Sequence, residues 1–89
     1  ALPWLAVSYD SNVTGAVEIQ VTKDGTPVGS KSHAESTVNT DRYQLWHLTK
    51  PADSEGRDYF DQEDAAGTYV VTIRKDGQTV SSEALVYAP

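Results

Sequence analysis

The chain contains no cysteine and no methionine. It therefore has no disulfide framework, no thiolate metal site and no thiol nucleophile, and its stability must come from packing and sheet hydrogen bonding. Basic residues are scarce: seven Lys and Arg against thirteen Asp and Glu give a formal charge of -6. They are also scattered (Lys23, Lys31, Arg42, Lys50, Arg57, Arg74, Lys75), with no cluster longer than Arg74-Lys75. A surface of this sign repels phosphate backbones and anionic lipid, so nucleic acid is not expected as a partner. No apolar run approaches the roughly 20 residues needed to span a bilayer, and membrane insertion is not expected either. "ALPWLAV" at the start is too short, and lacks the basic leader, for a signal peptide. The sequence opens at Ala1, as a processed product or a domain excised from a longer chain would.

Helical periodicity is nowhere sustained over ten residues; "QEDAAG" (62–67) has room for one turn at most. What the sequence has instead is alternation. In "AVEIQVT" (16–22), Val17, Ile19 and Val21 alternate with Glu18, Gln20 and Thr22, the period-2 pattern of a strand with one dry and one wet face. "TYVVTIR" (68–74) repeats it, with Tyr69, Val71 and Ile73 in phase, and both runs then reach Lys-Asp-Gly. Asp-Gly supplies the positive φ of a tight hairpin turn, so two hairpins are expected. A shift of 52 positions lays "VEIQVTKDGTPVGS" on "YVVTIRKDGQTVSS". Shared turn chemistry accounts for most of these matches, and duplication of a hairpin is the alternative.

A first strand is expected at about 4–9, a middle strand at about 42–48 and a last strand at about 82–87. In the middle strand Tyr43, Leu45 and His47 alternate with Gln44, Trp46 and Leu48, so both faces carry large groups. Such a strand is interior to a sheet or covered by a loop. The linkers are 10–15, 33–41 and 49–67; the last is long for a structureless connection and suggests a short extra strand near 57–61 or a functional loop. With 89 residues there is room for one core, because a chain this short buries only about 60–65 % of its unfolded surface. About seven strands with regular turn signals and almost no helix describe a single all-β domain over 1–89, an antiparallel β-sandwich.

The segment "EDAAGTYVV" (63–71) resembles the E–F corner of immunoglobulin-like domains, where an acidic residue and a glycine precede a tyrosine whose hydroxyl bonds back to the corner. Tyr69 would be that tyrosine, Val71 would stand in place of the second cysteine, and Trp46 precedes the corner as a strand-C tryptophan would. The shared pattern covers 42–87. Asp64 stands one position early, and there is no Cys-Trp-Cys spacing. The resemblance implies the disulfide-free immunoglobulin-like fold of microbial surface proteins, adhesins and phage decoration or tail proteins. Its location would then be extracellular, on a cell surface or on a virion.

Glu55, Asp58, Asp61, Glu63 and Asp64 place five carboxylates within ten residues, a composition that suits Ca²⁺. The spacing fails the D-x-[DN]-x-[DN]-G pattern, and a solvated loop explains it as well, so no metal is expected. His33 and His47, fourteen apart, lack the spacing of a zinc pair; His33 is expected in a polar loop, His47 on the middle strand. There is no G-x-S-x-G elbow and no Gly-rich phosphate loop, and neither a catalytic residue nor a cofactor is expected. Asn12-Val13-Thr14 is a glycosylation acceptor pattern in a predicted surface loop. The aromatics Trp4, Tyr43, Trp46, Tyr59 and Phe60 could form a platform for sugar rings, with Trp46 central. Alternatively Trp46 is a core residue, Trp4 anchors the first strand, and Tyr59 and Phe60 tether the long loop. The expectation is a noncatalytic structural or interaction module presenting loops and edges to a protein partner. The alternative is a small carbohydrate-binding module or lectin that binds a glycan through Tyr43, Trp46, Tyr59 and Phe60.

Overall fold

The structure, a computed structural model, describes residues 3–9, 15–33 and 43–89. Six strands form among them: β1 (Trp4–Ser8), β2 (Val17–Lys23), β3 (Thr26–His33), β4 (Tyr43–His47), β5 (Gly67–Lys75) and β6 (Gln78–Tyr87). They make two antiparallel sheets, β1-β4 and β3-β2-β5-β6, and among the described residues there is no helix. The fold is all-β and β-sandwich-like. Accordingly, among the described residues no helix is long and apolar enough to cross a membrane. Asn12 and most of the linkers 10–15 and 33–41 lie outside the described residues.

About seven strands were expected and six form among the described residues; the segment near 57–61, expected as a short strand or a functional loop, touches β4 only briefly. The His47 N–H donates to the Asp58 carbonyl and the Phe60 N–H to the His47 carbonyl, each at 2.9 Å, a single parallel bridge at Tyr59. The Gln62 N–H then turns back onto the Phe60 carbonyl (2.9 Å), a tight turn that leads the chain away from β4. The two-faced middle strand is thus flanked by β1 on one edge and covered by this loop on the other. No helical turn forms at 62–67. Asp64 Oδ1 instead accepts from the Ala66 N–H (2.9 Å), and the Ala65 carbonyl accepts from the Tyr69 hydroxyl (2.6 Å).

The two hairpins match beyond their turns. Asp24 and Gly25, like Asp76 and Gly77, all have positive φ (49° and 84°; 51° and 77°), as a type I′ turn requires. Each hairpin also carries a bulge: Val21 pairs with Gly29 but Thr22 with Pro27, and Ile73 pairs with Ser81 but Arg74 with Thr79. Val28 and Val80 are the residues skipped, and they correspond under the same 52-residue shift. Turn preference explains the Asp-Gly pairs, but it does not place a bulge. The hairpins join through β2 and β5 in an antiparallel register centred on Gln20↔Thr72, which are themselves corresponding residues. The four-stranded sheet therefore has a local two-fold relation that maps β2 on β5 and β3 on β6.

Both sheets contribute to one core. β1 buries Leu5 and Val7; β2 buries Val17, Ile19 and Val21; β4 buries Trp46, with Leu48 just beyond it; and β5 buries Tyr69, Val71 and Ile73. Each such aliphatic is worth about 1.5–3 kcal/mol in transfer terms. Phe60, from the loop, closes one end, its ring 5.5 Å from that of Trp46 and 6.0 Å from that of Tyr69. Only glycine fits beneath it: a Cβ at Gly29 would lie 2.6 Å from Phe60 Cε1. Trp46, likened above to a strand-C tryptophan, lies on β4, across the core from Tyr69 in the other sheet, where Leu5 is its partner; the strand beside that of Tyr69 on this side is β2.

Candidate binding surface

Strand parity decides which aromatics reach the surface. Cross-strand partners share a face, so the pairs Leu5↔Trp46 and Val7↔Gln44 point into the core while Trp4↔His47, Ala6↔Leu45 and Ser8↔Tyr43 point outward. Tyr59 lies beside His47 through the parallel bridge, and Lys50 Nζ stands 5.9 Å from the centre of its ring. The outer face of β1 and β4 thus presents Trp4, Tyr43, Leu45, His47 and Tyr59 as one band. Trp4 is 64 % exposed and Tyr43 54 %. The Trp4 and His47 rings are 6.1 Å apart and tilted by 46°. His47 Nδ1 is buried and has no hydrogen-bond partner among the described residues.

The platform of five aromatics drawn from the sequence is not assembled, nor is the four-residue glycan set taken from it. Trp46 is 3 % exposed and Phe60 0 %, so neither ring offers a face to a ligand; of the four glycan-set residues only Tyr43 and the half-buried Tyr59 remain, and of the platform Trp4 remains with them. Trp4, not Trp46, is the accessible tryptophan. The signal for this was present in β1, because Leu5 and Val7 are aliphatic in phase and leave Trp4 on the opposite parity. Leu45 and His47 were legible only as members of a two-faced strand.

Beneath the band, one side of the sandwich is held by a polar chain. The Tyr9 hydroxyl lies 2.7 Å from His33 Nδ1, and His33 Nε2 lies 3.3 Å from Gln44 Oε1. Gln44 Nε2 donates to Asp58 Oδ2 (2.6 Å), on which Lys31 Nζ also converges at 3.4 Å. Gln44 Nε2 also donates to the Leu45 carbonyl (3.2 Å), so the Gln44 amide joins β4, the 57–61 segment and His33. His33 therefore belongs to the end of β3 and links the two sheets, not to the polar loop expected from its neighbours.

A second set of ties holds the corner. The Tyr69 hydroxyl donates to the Ala65 carbonyl and accepts from Gln62 Nε2 (2.8 Å), which also donates to the Leu48 carbonyl (2.8 Å). Burial raises the Tyr69 pKa above its ordinary value; the Gln62 hydrogen bond opposes this, and Asp24, Asp64 and Tyr87 reinforce it. Of the acidic loop, Asp58 and Asp64 are engaged in these structural contacts. Among the described residues no three His, Asp or Glu side chains are grouped to hold a metal ion. No protein-family model, curated protein or solved structure matches this chain.

Proposed function

We propose that the chain is a noncatalytic interaction module of immunoglobulin-like architecture, of the kind used on cell or virion surfaces, and that it engages a protein partner through the outer face of β1 and β4. The sheet order supports the architecture: β1 and β4 correspond to strands B and E, and β3-β2-β5-β6 to C′-C-F-G of that fold. The Tyr69 hydroxyl bonded to the carbonyl four residues upstream supports it too. The observation that carries the function is the outward band itself. Large aromatics at the surface of so acidic a domain, set on a sheet whose reverse side is the core, are rigid anchors that lose little entropy on binding.

A carbohydrate ligand is the second reading, favoured by the free indole face of Trp4 beside an imidazole and two phenols. One pair of variants separates the outcomes. Trp4→Ala and Tyr43→Ala should leave the fold intact and weaken capture of the partner by tenfold or more, on the order of 1.4 kcal/mol or above. A glycan array read by tryptophan emission should respond in the wild type and not in Trp4→Ala if the ligand is a sugar. Binding that survives both substitutions would move the function off this face.

A further inference from the structure

The two ends of the four-stranded sheet correspond in sequence and register yet are covered differently. On β3, the residues facing inward are Gly29, Lys31 and His33, opposite Val21, Ile19 and Val17. On β6 they are Ser81, Glu83 and Leu85, opposite Ile73, Val71 and Tyr69. The 52-residue shift maps the first set onto the second. Over β3 lies the segment that bridges the edge of β4: Phe60 sits against Gly29, and Asp58 pairs with Lys31. Over β6, the corresponding place is an open cleft of about 180 Å³ between β6 and the edge of β1 that pairs with no strand among the described residues, lined by Leu5, Val7, Val71, Ile73, Glu83 and Leu85 among others. These four core aliphatics keep 6–7 % exposure, whereas Val17, Ile19, Val21, Phe60 and Tyr69 keep 0–2 %. The core is thin along this seam.

The geometry points to a strand-accepting site: we infer that the seam between β1 and β6 binds an extended segment of another polypeptide carrying a basic residue and, two positions later, a branched aliphatic one. The two-fold relation supplies the pattern. Asp58-x-Phe60 over Lys31 and Gly29 becomes basic-x-aliphatic over Glu83 and Ser81, with the charges inverted. Phenylalanine is disfavoured as the anchor, because Ser81 brings the Cβ that Gly29 lacks and that would clash with a ring so placed. An apolar cavity of about 150 Å³ accepts benzene, so this cleft has room for an aliphatic side chain. The backbone of the segment would add to the edge of β1 opposite β4, which is unpaired among the described residues. The β3 edge is guarded by Pro27 and Lys31, whereas β6, which carries the corresponding bulge, has neither proline nor a basic residue along its length. The occupant is not a second copy: none of the seven Lys and Arg is followed two positions later by Val, Ile or Leu.

This inference deepens the reading as an interaction module by naming a partner chemistry, but it uses a different surface. The test is titration of the isotope-labelled chain with the capped peptide Thr-Lys-Thr-Val-Thr-Val-Thr and with its Lys-to-Glu counterpart, followed by amide NMR. The lysine peptide is expected to shift amides of β1 and β6 and to bind about tenfold tighter than the glutamate peptide. In Glu83→Lys, an exposed substitution, the preference should reverse. Equal affinities, absence of reversal, shifts centred on β3, or self-association through β6 would each overturn the inference. Loss of binding in Trp4→Ala would also overturn it, since Trp4 does not line the seam. Failure here with Trp4-dependent partner capture intact would sink the seam and leave the module reading standing.

Discussion

Phe60→Ala is expected to cost about 3–5 kcal/mol, the usual range for deleting a buried aromatic side chain. Phe60 is 0 % exposed, and its ring stacks between those of Trp46 and Tyr69 over the only β3 position where a Cβ is missing. Nothing nearby can collapse into the space easily, because each neighbour is fixed by its own strand pairing. For a domain of this size, each kcal/mol lowers Tm by roughly 4–8 °C, so the variant should be close to unfolded at physiological temperature. Chemical denaturation of the variant beside wild type measures this. A loss under about 1 kcal/mol would mean that the loop does not close the core.

Tyr69→Phe is the second large effect, and it has a pH signature. The substitution keeps the ring but strands the Ala65 carbonyl and one Gln62 N–H, at about 1–3 kcal/mol. The wild-type hydroxyl has a folded pKa above its unfolded value, so the native state holds this proton where the unfolded state has released it. Its contribution is complete below the unfolded value, about 10, and is lost as pH rises through the folded one. Urea unfolding followed from about pH 8 upward should therefore show wild type losing more stability than Tyr69→Phe above about pH 10. Parallel curves for the two proteins would show that the phenol is not held as described.

The two hairpins could be read directly, since each Asp-Gly demands positive φ and each flanking run alternates cleanly. Tyr69 was legible for the same reason: it lies in phase with Val71 and Ile73. The middle strand was not, because alternation identifies two faces without saying which is dry, and both faces of 43–48 carry large side chains. Only pairing with β1, where Leu5 and Val7 leave no choice, turns Trp46 inward and sends Tyr43 outward. Phe60 and Tyr59 are adjacent in a loop without periodicity, so their opposite fates depend on the bridge to His47. His33 ends a strand, "TPVGSKSH", that has no apolar rhythm and is held in place by its register with β2. The difference between the two sheet ends needed the register as well, since the correspondence of Lys31 with Glu83 matters only once Asp58 is seen beside the first.

The parity of β1 and β4 underlies both the proposed binding face and the core, and the two tryptophans report it. Single-tryptophan variants, Trp4→Phe and Trp46→Phe, separate their emission, and iodide quenching measures access to each. Trp46 alone should emit in the blue and resist quenching, while Trp4 alone should emit in the red and be quenched freely. The reverse assignment, or equal quenching of both in a folded chain, would contradict the account.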